Sequence, residues 1–275
     1  MLKNYLKTSL RNLLLHKNYA FINVLGLTVG LATSIFILLW IVDELSFDSF
    51  HANRGRIFSV LVNNTYPDGK IETYAATPAS LKEAIEREIP EVELAAHYSM
   101  QTELLVMHET KAFNEIGIYG DPSLFRILSF PIIKGNENQP LTDIKSIAIS
   151  EELAHKLFES ENPIGKSLKL GASHELIITS VFANIHQHST LRFDFLAPFE
   201  LFSKENPWTQ HWGSGGTRTT VLLKSSTSVN AANHKVGELI KKNCPDCTTT
   251  AFLFPYEKTR LYNEFEKGKN AGGRI

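Results

Sequence analysis

The sequence predicts an α+β protein tied to a membrane: an amphipathic helix, one transmembrane helix, then a two-lobed domain outside the bilayer. Three observations predict this. Ala20–Val42 is an uncharged apolar run, long enough as a helix to cross a hydrocarbon core of ~30 Å. A strand–helix–strand pattern follows it and returns near the C-terminus. Between the two lies a long stretch of short strands, so α and β elements fall in separate runs.

The N-terminal residues 1–19 read as an amphipathic helix. Leu2, Leu6, Leu10, Leu13 and Leu14 recur at helical steps, and Lys3, Lys7 and Arg11 form a second stripe. Such a helix lies on the inner membrane surface, lysines toward anionic headgroups. The competing reading is a plain basic flank.

Residues 20–42 read as the span. Lys3, Lys7, Arg11 and Lys17 are the only charged residues before Asp43, so the tail is strongly positive although the whole chain has a net charge of -1. Flanking lysines and arginines stay cytoplasmic, which puts the N-terminus inside and Asp43 onward outside. A cleaved signal peptide would have a shorter apolar core and a small-residue exit. This run ends Trp40-Ile41-Val42-Asp43-Glu44, so it reads as an uncleaved anchor. Gly26 and Gly30 make a GxxxG, and Ser34 extends that face by a turn, a spacing that lets another helix approach closely. A mean hydropathy of -0.11 fits one span and a globular domain, not many spans. After the tail the chain is net acidic, and no basic patch for nucleic acid is evident.

Beyond Asp43, Arg56–Val62 reads as a strand and Tyr66-Pro67-Asp68-Gly69 as a turn. Thr77 before Pro78 reads as a helix N-cap, with Leu81, Ala84, Ile85 and Ile89 as the apolar face and Pro90 as the stop. Val92–Met107 reads as extended. The order returns as a strand at Thr219–Leu223, a helix over Val229–Lys242 and β-rich Thr248–Phe254. The middle, Ala112–Trp212, carries expected strands at Ser146–Ser150, Ser167–Leu170, Glu175–Phe182 and Arg192–Ala197. Short helices are expected over Pro122–Leu128 and Glu151–Phe158.

Runs along the whole chain resemble a known family. They include NYLKTSLRNLLLHKNYAFINVLGLTVGLA, ELSFDSFHANRGRIFSV, ATPASLKEAIEREIPEVE, DPSLFRILSFPIIKG, LAHKLFESENPIGKSLKL and VFANIHQHSTLRFDFLAPF. In this order they resemble the N-terminal part of a MacB/FtsX-like ABC-transporter permease with a MacB-type periplasmic core domain, of the kind common in Bacteroidetes-like bacteria. The resemblance implies an elbow helix (1–19), a first transmembrane helix (20–42) and a periplasmic domain (43–275) in the bacterial inner membrane. It implies porter-like βαβ halves at about 50–110 and 217–275, with a mostly β lobe at about 112–212 inserted between them. The implied partners are a cytoplasmic ABC ATPase subunit, a second permease copy or half, membrane lipid, and a periplasmic adaptor or outer-membrane factor. The implied function is to couple ATP hydrolysis by a separate subunit to periplasmic conformational change, for export or substrate release. Two departures stand out. The chain ends at Ile275 where the family continues into further spans, so a fragment is expected. Ile185–Thr190, IHQHST, replaces a loop that usually contains proline, which puts any local binding role there in doubt.

Chemistry-bearing patterns are few. Gly165-Lys166-Ser167 lacks the preceding glycine of a P-loop and reads as a turn into a strand. Cys244-Pro245-Asp246-Cys247 is a CxxC open to three readings: a local disulfide, free thiols, or metal and redox work. Zinc would need two further ligands, and only the distant His186, His188 and His234 are on offer. Ser214-Gly215-Gly216 lacks the nucleophile elbow. Trp208 and Trp212 could meet a partner from a flexible loop, with core packing expected for at least one. No catalytic residue, cofactor or metal is expected, and the chain reads as a non-enzyme. The alternative function is a single-pass sensor or adhesion ectodomain that binds a periplasmic ligand or partner.

Overall fold

The computed structural model describes residues 2–274, and the side chains at 2, 3, 6, 9, 10 and 13 lie outside that description. The chain forms two units, Met1–Ser46 and Phe47–Ile275. In the first, α1 (Leu2–Leu15) and α2 (Lys17–Ser46) are separated at His16. The leucine stripe of Leu2, Leu6, Leu10 and Leu13, with Lys3, falls outside the described residues; Lys7, Arg11 and Leu14 are exposed. Helix α2 is longer than the expected span at both ends, taking in residues 17–19 and 43–46, because no proline or glycine stops it there. None of its residues is buried against protein. Its hydroxyls are satisfied from within: Thr28 donates to Val24 O at 2.7 Å, Thr33 to Val29 O at 2.9 Å and Ser34 to Gly30 O at 2.9 Å. A helix that satisfies its own polar groups is what a bilayer admits.

The second unit opens with β1 (Ile57–Thr65), which turns back into the short β2 (Ile71–Tyr74). Gly69 takes φ +83 in that turn, which explains its glycine. The chain continues through α3 (Leu81–Glu88) to β3 (Val92–Tyr98). Thr77 does not cap α3. The cap position is Ser80, and Thr77 is drawn into the sheet: its hydroxyl reaches Thr217 O at 3.2 Å and Thr219 Oγ1 at 2.8 Å. Pairing with a strand far along the chain wins over the local Thr-Pro signal.

Next come β4 (Thr102–His108), β5 (Lys111–Gly120), α4 (Ser123–Ile127), β6 (Ile132–Gly135), β7 (Ser146–Ser150) and α5 (Glu151–Phe158). They are followed by β8 (Ser167–Leu170), β9 (His174–Phe182), β10 (Phe195–Pro198) and α6 (Phe199–Glu205). The chain closes with β11 (Arg218–Leu223), α7 (Val229–Asn243), β12 (Thr249–Pro255), β13 (Glu264–Glu266) and β14 (Lys269–Gly272). The starts of α5 and α7 follow from sequence chemistry. Ser150 and Ser228 cap them by accepting from Leu153 N and Ala231 N, and Glu151 and Glu152 complement the α5 dipole.

Strands β3, β11, β1 and β12 lie in that order, each antiparallel to its neighbour. Hence β1 and β3 run one way, and β11 and β12 the other. Each like-directed pair is joined by a helix, giving two interleaved βαβ units of the split type. Helices α3 and α7 cover one face, burying Phe58, Val60, Ile85, Val221, Val236, Ile240 and Leu253 in one cluster. The chain between β3 and β11 builds a second structure. There β5, β4, β8, β9, β7 and β10 pair in sequence, and β10 pairs back to β5 in parallel. This ring of strands has no open edge and is filled by Val106, Ile147, Ile149, Leu168, Ile178 and Phe195. It meets the four-stranded sheet through Tyr98↔Gly120 between β3 and β5.

Closure depends on a glycine. Gly117 of β5 lies opposite Phe195 of β10, and a Cβ there would stand 2.2 Å from the Phe195 ring. Gly117→Ala is expected to destabilise the domain by about 1–3 kcal/mol through overpacking. Phe195→Leu in the same chain should restore part of the loss, read as thermal unfolding of the two variants. Asp194, just before β10, gives a pH prediction. Burial raises its carboxyl above the ordinary range, Glu115 adds to this, and Lys156 opposes it. The folded chain therefore binds this proton more tightly than the unfolded one, and stability falls as pH rises from the ordinary carboxyl value of about 3.9 through the folded value. Asp194→Asn should be the more stable protein near neutral pH in denaturant titrations, with the gap closing as the pH falls below that range.

Candidate functional site

Residues 47–56 connect the end of α2 to β1 and have no regular structure beyond turns. They are nevertheless fastened at several points. Helix α4 explains half of this. It is only 5 residues long, and its last carbonyls have no helical partner. The loop supplies donors. His51 Nδ1 lies 2.6 Å from Leu128 O, Asn53 Nδ2 3.1 Å from Arg126 O, and Ala52 N donates to Ser129 Oγ at 3.1 Å. A carbonyl only accepts, so His51 carries a proton on Nδ1.

Asp48 makes the other half. It sits at φ +56, a region that aspartate tolerates better than most residues, and it is almost wholly buried. Its backbone N donates to His188 O at 2.8 Å. Its Oδ1 accepts from Thr190 N at 2.9 Å, and its Oδ2 accepts from the Thr190 hydroxyl. His51 Nε2 stands 3.4 Å from Asp48 Oδ1 without a hydrogen bond between them, so the two anchor points lie side by side. Aromatic rings surround them. The Phe50 ring centroid is 4.2 Å from that of His51, Phe47 is 5.1 Å from His188, and the Arg260 guanidinium lies 3.5 Å over the Phe47 ring. Arg56 finishes the arrangement, donating to Glu93 Oε2 at 2.8 Å, Leu223 O at 2.9 Å and Asn53 Oδ1 at 2.7 Å. The loop is thus pinned to α4, to the β9–β10 connection and to the four-stranded sheet.

The sequence-level candidates are placed elsewhere or otherwise. Gly26 and Gly30 have nothing within 4 Å of a built Cβ, and Ser34 is exposed beside them. Cys244 and Cys247 are joined as a disulfide just past α7, with Cα atoms 5.3 Å apart. Cys247 and Trp212 pack against the core under α7. Trp208 closes over Gly216 and donates from Nε1 to Asn206 Oδ1 at 3.1 Å. Among the described residues no group of three or more His, Cys, Asp or Glu could hold a metal ion. The IHQHST loop, where a local binding role is in doubt, has a structural one: it supplies His188 O and Thr190 to Asp48. Sequence reading missed Asp48, His51, Asn53 and Thr190. The available signal was that three of the family-like runs, ELSFDSFHANRGRIFSV, DPSLFRILSFPIIKG and VFANIHQHSTLRFDFLAPF, carry polar residues that no helix or strand of their own uses.

The sequence profile of the MacB-like periplasmic core domain matches residues 20–239. The chain belongs to this family. Solved structures agree on the fold of the MacB-like domain. A permease-protein domain from Porphyromonas gingivalis is 20% identical, with a TM-score of 0.64 over 75% of this chain and 92% of that one. The periplasmic region of MacB from Actinobacillus actinomycetemcomitans is 12% identical, with a TM-score of 0.53 over 72% of this chain and 88% of that one. The extracellular domain of the ABC-type transporter YknZ from Gram-positive bacteria is also 12% identical, with a TM-score of 0.53 over 72% of this chain and 99% of that one. No curated protein matches the chain.

The clamp of the MacB-like domain predicts its own weak point. Asp48→Ala would leave Thr190 N and its hydroxyl without their carboxylate acceptor; Thr190 is exposed, so water replaces part of each bond and the loss is about 1 kcal/mol apiece. Hydrogen exchange on the full chain should accelerate at residues 47–56 and 186–190 while β1, β11 and β12 keep their protection. Uniform acceleration across the domain would contradict a local fastening.

Proposed function

We propose that this chain is the N-terminal part of an ABC-transporter permease of the MacB/FtsX type. It does no bond chemistry. It couples ATP hydrolysis by a separate cytoplasmic subunit to conformational change in its periplasmic domain, for export or for release of a substrate there. Family membership supports the permease reading, and Lys17–Ser46 is long and apolar enough to cross a membrane. The observation that carries the coupling is the clamp. The chain passes from the last helical residue, Ser46, to Phe47 and Asp48 with no spare residue between. A displacement of that helix end therefore acts on fastened residues and is not lost in slack chain.

In this reading the protein sits in the bacterial inner membrane, N-terminus cytoplasmic and residues from about 43 onward periplasmic. The split βαβ sheet would be the porter-like part, with halves at about 50–110 and 217–275, and the strand ring at about 112–212 the inserted β lobe. Gly26, Gly30 and Ser34 would form the face where further helices or a second permease copy pack. The Cys244–Cys247 disulfide would be a local staple after α7, consistent with an oxidising compartment. A periplasmic adaptor or outer-membrane factor would be a further partner of the domain.

The test combines purification with a conformational readout. The tagged chain, taken from its native membrane, should bring down an ABC ATPase, and ATP should change cross-linking between periplasmic domains. With Asp48→Ala the ATPase should still co-purify while the ATP-dependent change shrinks. The reading is lost if no ABC ATPase is recovered and ATP leaves the domain unchanged, the pattern expected of a single-pass sensor.

A further inference from the structure

The sheet face that α3 and α7 leave uncovered is roofed near β1 by the C-terminal segment. The β13–β14 hairpin arches over it, held by Asn63 Nδ2 to Gly268 O at 3.1 Å and by the Phe265 ring, whose centroid is 5.4 Å from that of Phe254. A cavity of about 380 Å³ remains beneath the roof, within the range of sites that take small organic molecules. Its walls combine aromatic rings, Tyr98, Phe254, Tyr256 and Phe265 among them, with polar side chains such as Thr73, Gln101 and Asn263.

Those walls carry one charged side chain, Arg218. It projects from β11 opposite Tyr98 of β3, and among the described residues it has no carboxylate partner. The carboxylate that acts on Tyr98 and Tyr256 together with Arg218 is Asp48. Both of its oxygens are already taken by Thr190, so it does not fill the cavity. Both phenols are neutral donors at physiological pH, and burial raises them further above their ordinary range. The space thus offers a planar cation, phenol hydroxyls and aromatic rings, and its lining holds no carboxylate, since Asp48 lies behind Thr190.

We propose that this cavity binds a small aromatic monoanion, its carboxylate on the Arg218 guanidinium and its ring among Tyr98, Tyr256, Phe254 and Phe265. A guanidinium pairs a carboxylate through two parallel hydrogen bonds, and such charge-assisted bonds are stronger than neutral ones. Aromatic walls favour a flat ring over a flexible chain of equal size, because stacked and edge-on ring contacts add to simple burial. A dicarboxylate would leave its second charge facing rings, and a cation would face Arg218. The proposal does not depend on the transporter reading.

The experiment is calorimetric titration of the full chain in lipid nanodiscs with indole-3-acetate and with indole-3-acetamide, the same body without the charge, subtracting empty nanodiscs. Indole-3-acetate is expected to bind one site per chain about tenfold or more tightly than the amide. Arg218→Gln should bring the acetate down to the level of the amide, and Arg218→Lys should keep part of the difference. Equal binding of the two compounds, or no saturable binding of either, overturns the proposal on the unaltered chain, without reliance on any variant's folding. Acetate binding untouched by Arg218→Gln overturns it as well.

Discussion

A helix as short as α4 ends in carbonyls that need donors, and the loop after α2 brings them. This is the constraint on which the domain's organisation turns. His51 and Asn53 satisfy the end of α4, Asp48 holds the β9–β10 connection, and Arg56 ties the same loop to β3 and β11. Three segments far apart in the chain meet within ten residues of sequence. Buried polar groups persist only when paired, so each of these bonds requires the others to stay in register. The left-handed backbone at Asp48 belongs to the same account, since a strained residue persists only where its surroundings over-determine it.

The two structures downstream solve different problems. A split βαβ sheet must bring strands together across a long stretch of chain, and here β11, which pairs between β1 and β3, follows the whole strand ring in sequence. The ring makes this tolerable because it closes on itself. Its edges are paired and its interior is filled. It joins the sheet along β3, by the pair Tyr98↔Gly120 and the bonds of Tyr119, Asp121 and Ser123 to residues 95–99, and through a shared core of Ile57, Tyr98, Ile118, Phe182 and Leu222.

Much of this is legible in the sequence where the signal is local. Ser146–Ser150, Glu151–Phe158 and Ser167–Leu170 appear with the bounds their residues predict, because capping serines and apolar alternation act within a few positions. Legibility fails where a residue serves a distant partner. Thr77 reads as a cap and is a strand partner of Thr217. Gly117 and Gly120 weaken the strand signal of β5, yet Gly117 is there because Phe195 of β10 occupies the space of its Cβ. The clamp is illegible for the same reason. Asp48, His51 and Asn53 look like solvated loop residues until α4 and Thr190 are placed beside them.

The clamp and the roofed cavity share walls. Thr190 lines the cavity and donates twice to Asp48, and Tyr256 lines it while its ring stands edge-on to His51 at 5.7 Å between centroids. Packed interiors do not deform smoothly, so a shift of Thr190 large enough to admit or release a molecule also moves the acceptor it holds. The reverse follows from the same bonds: a pull on Phe47 and Asp48 is felt first at Thr190. Thr190 and Tyr256 thus belong both to the cavity lining and to the surroundings of Asp48 and His51, so no long relay of residues separates the two.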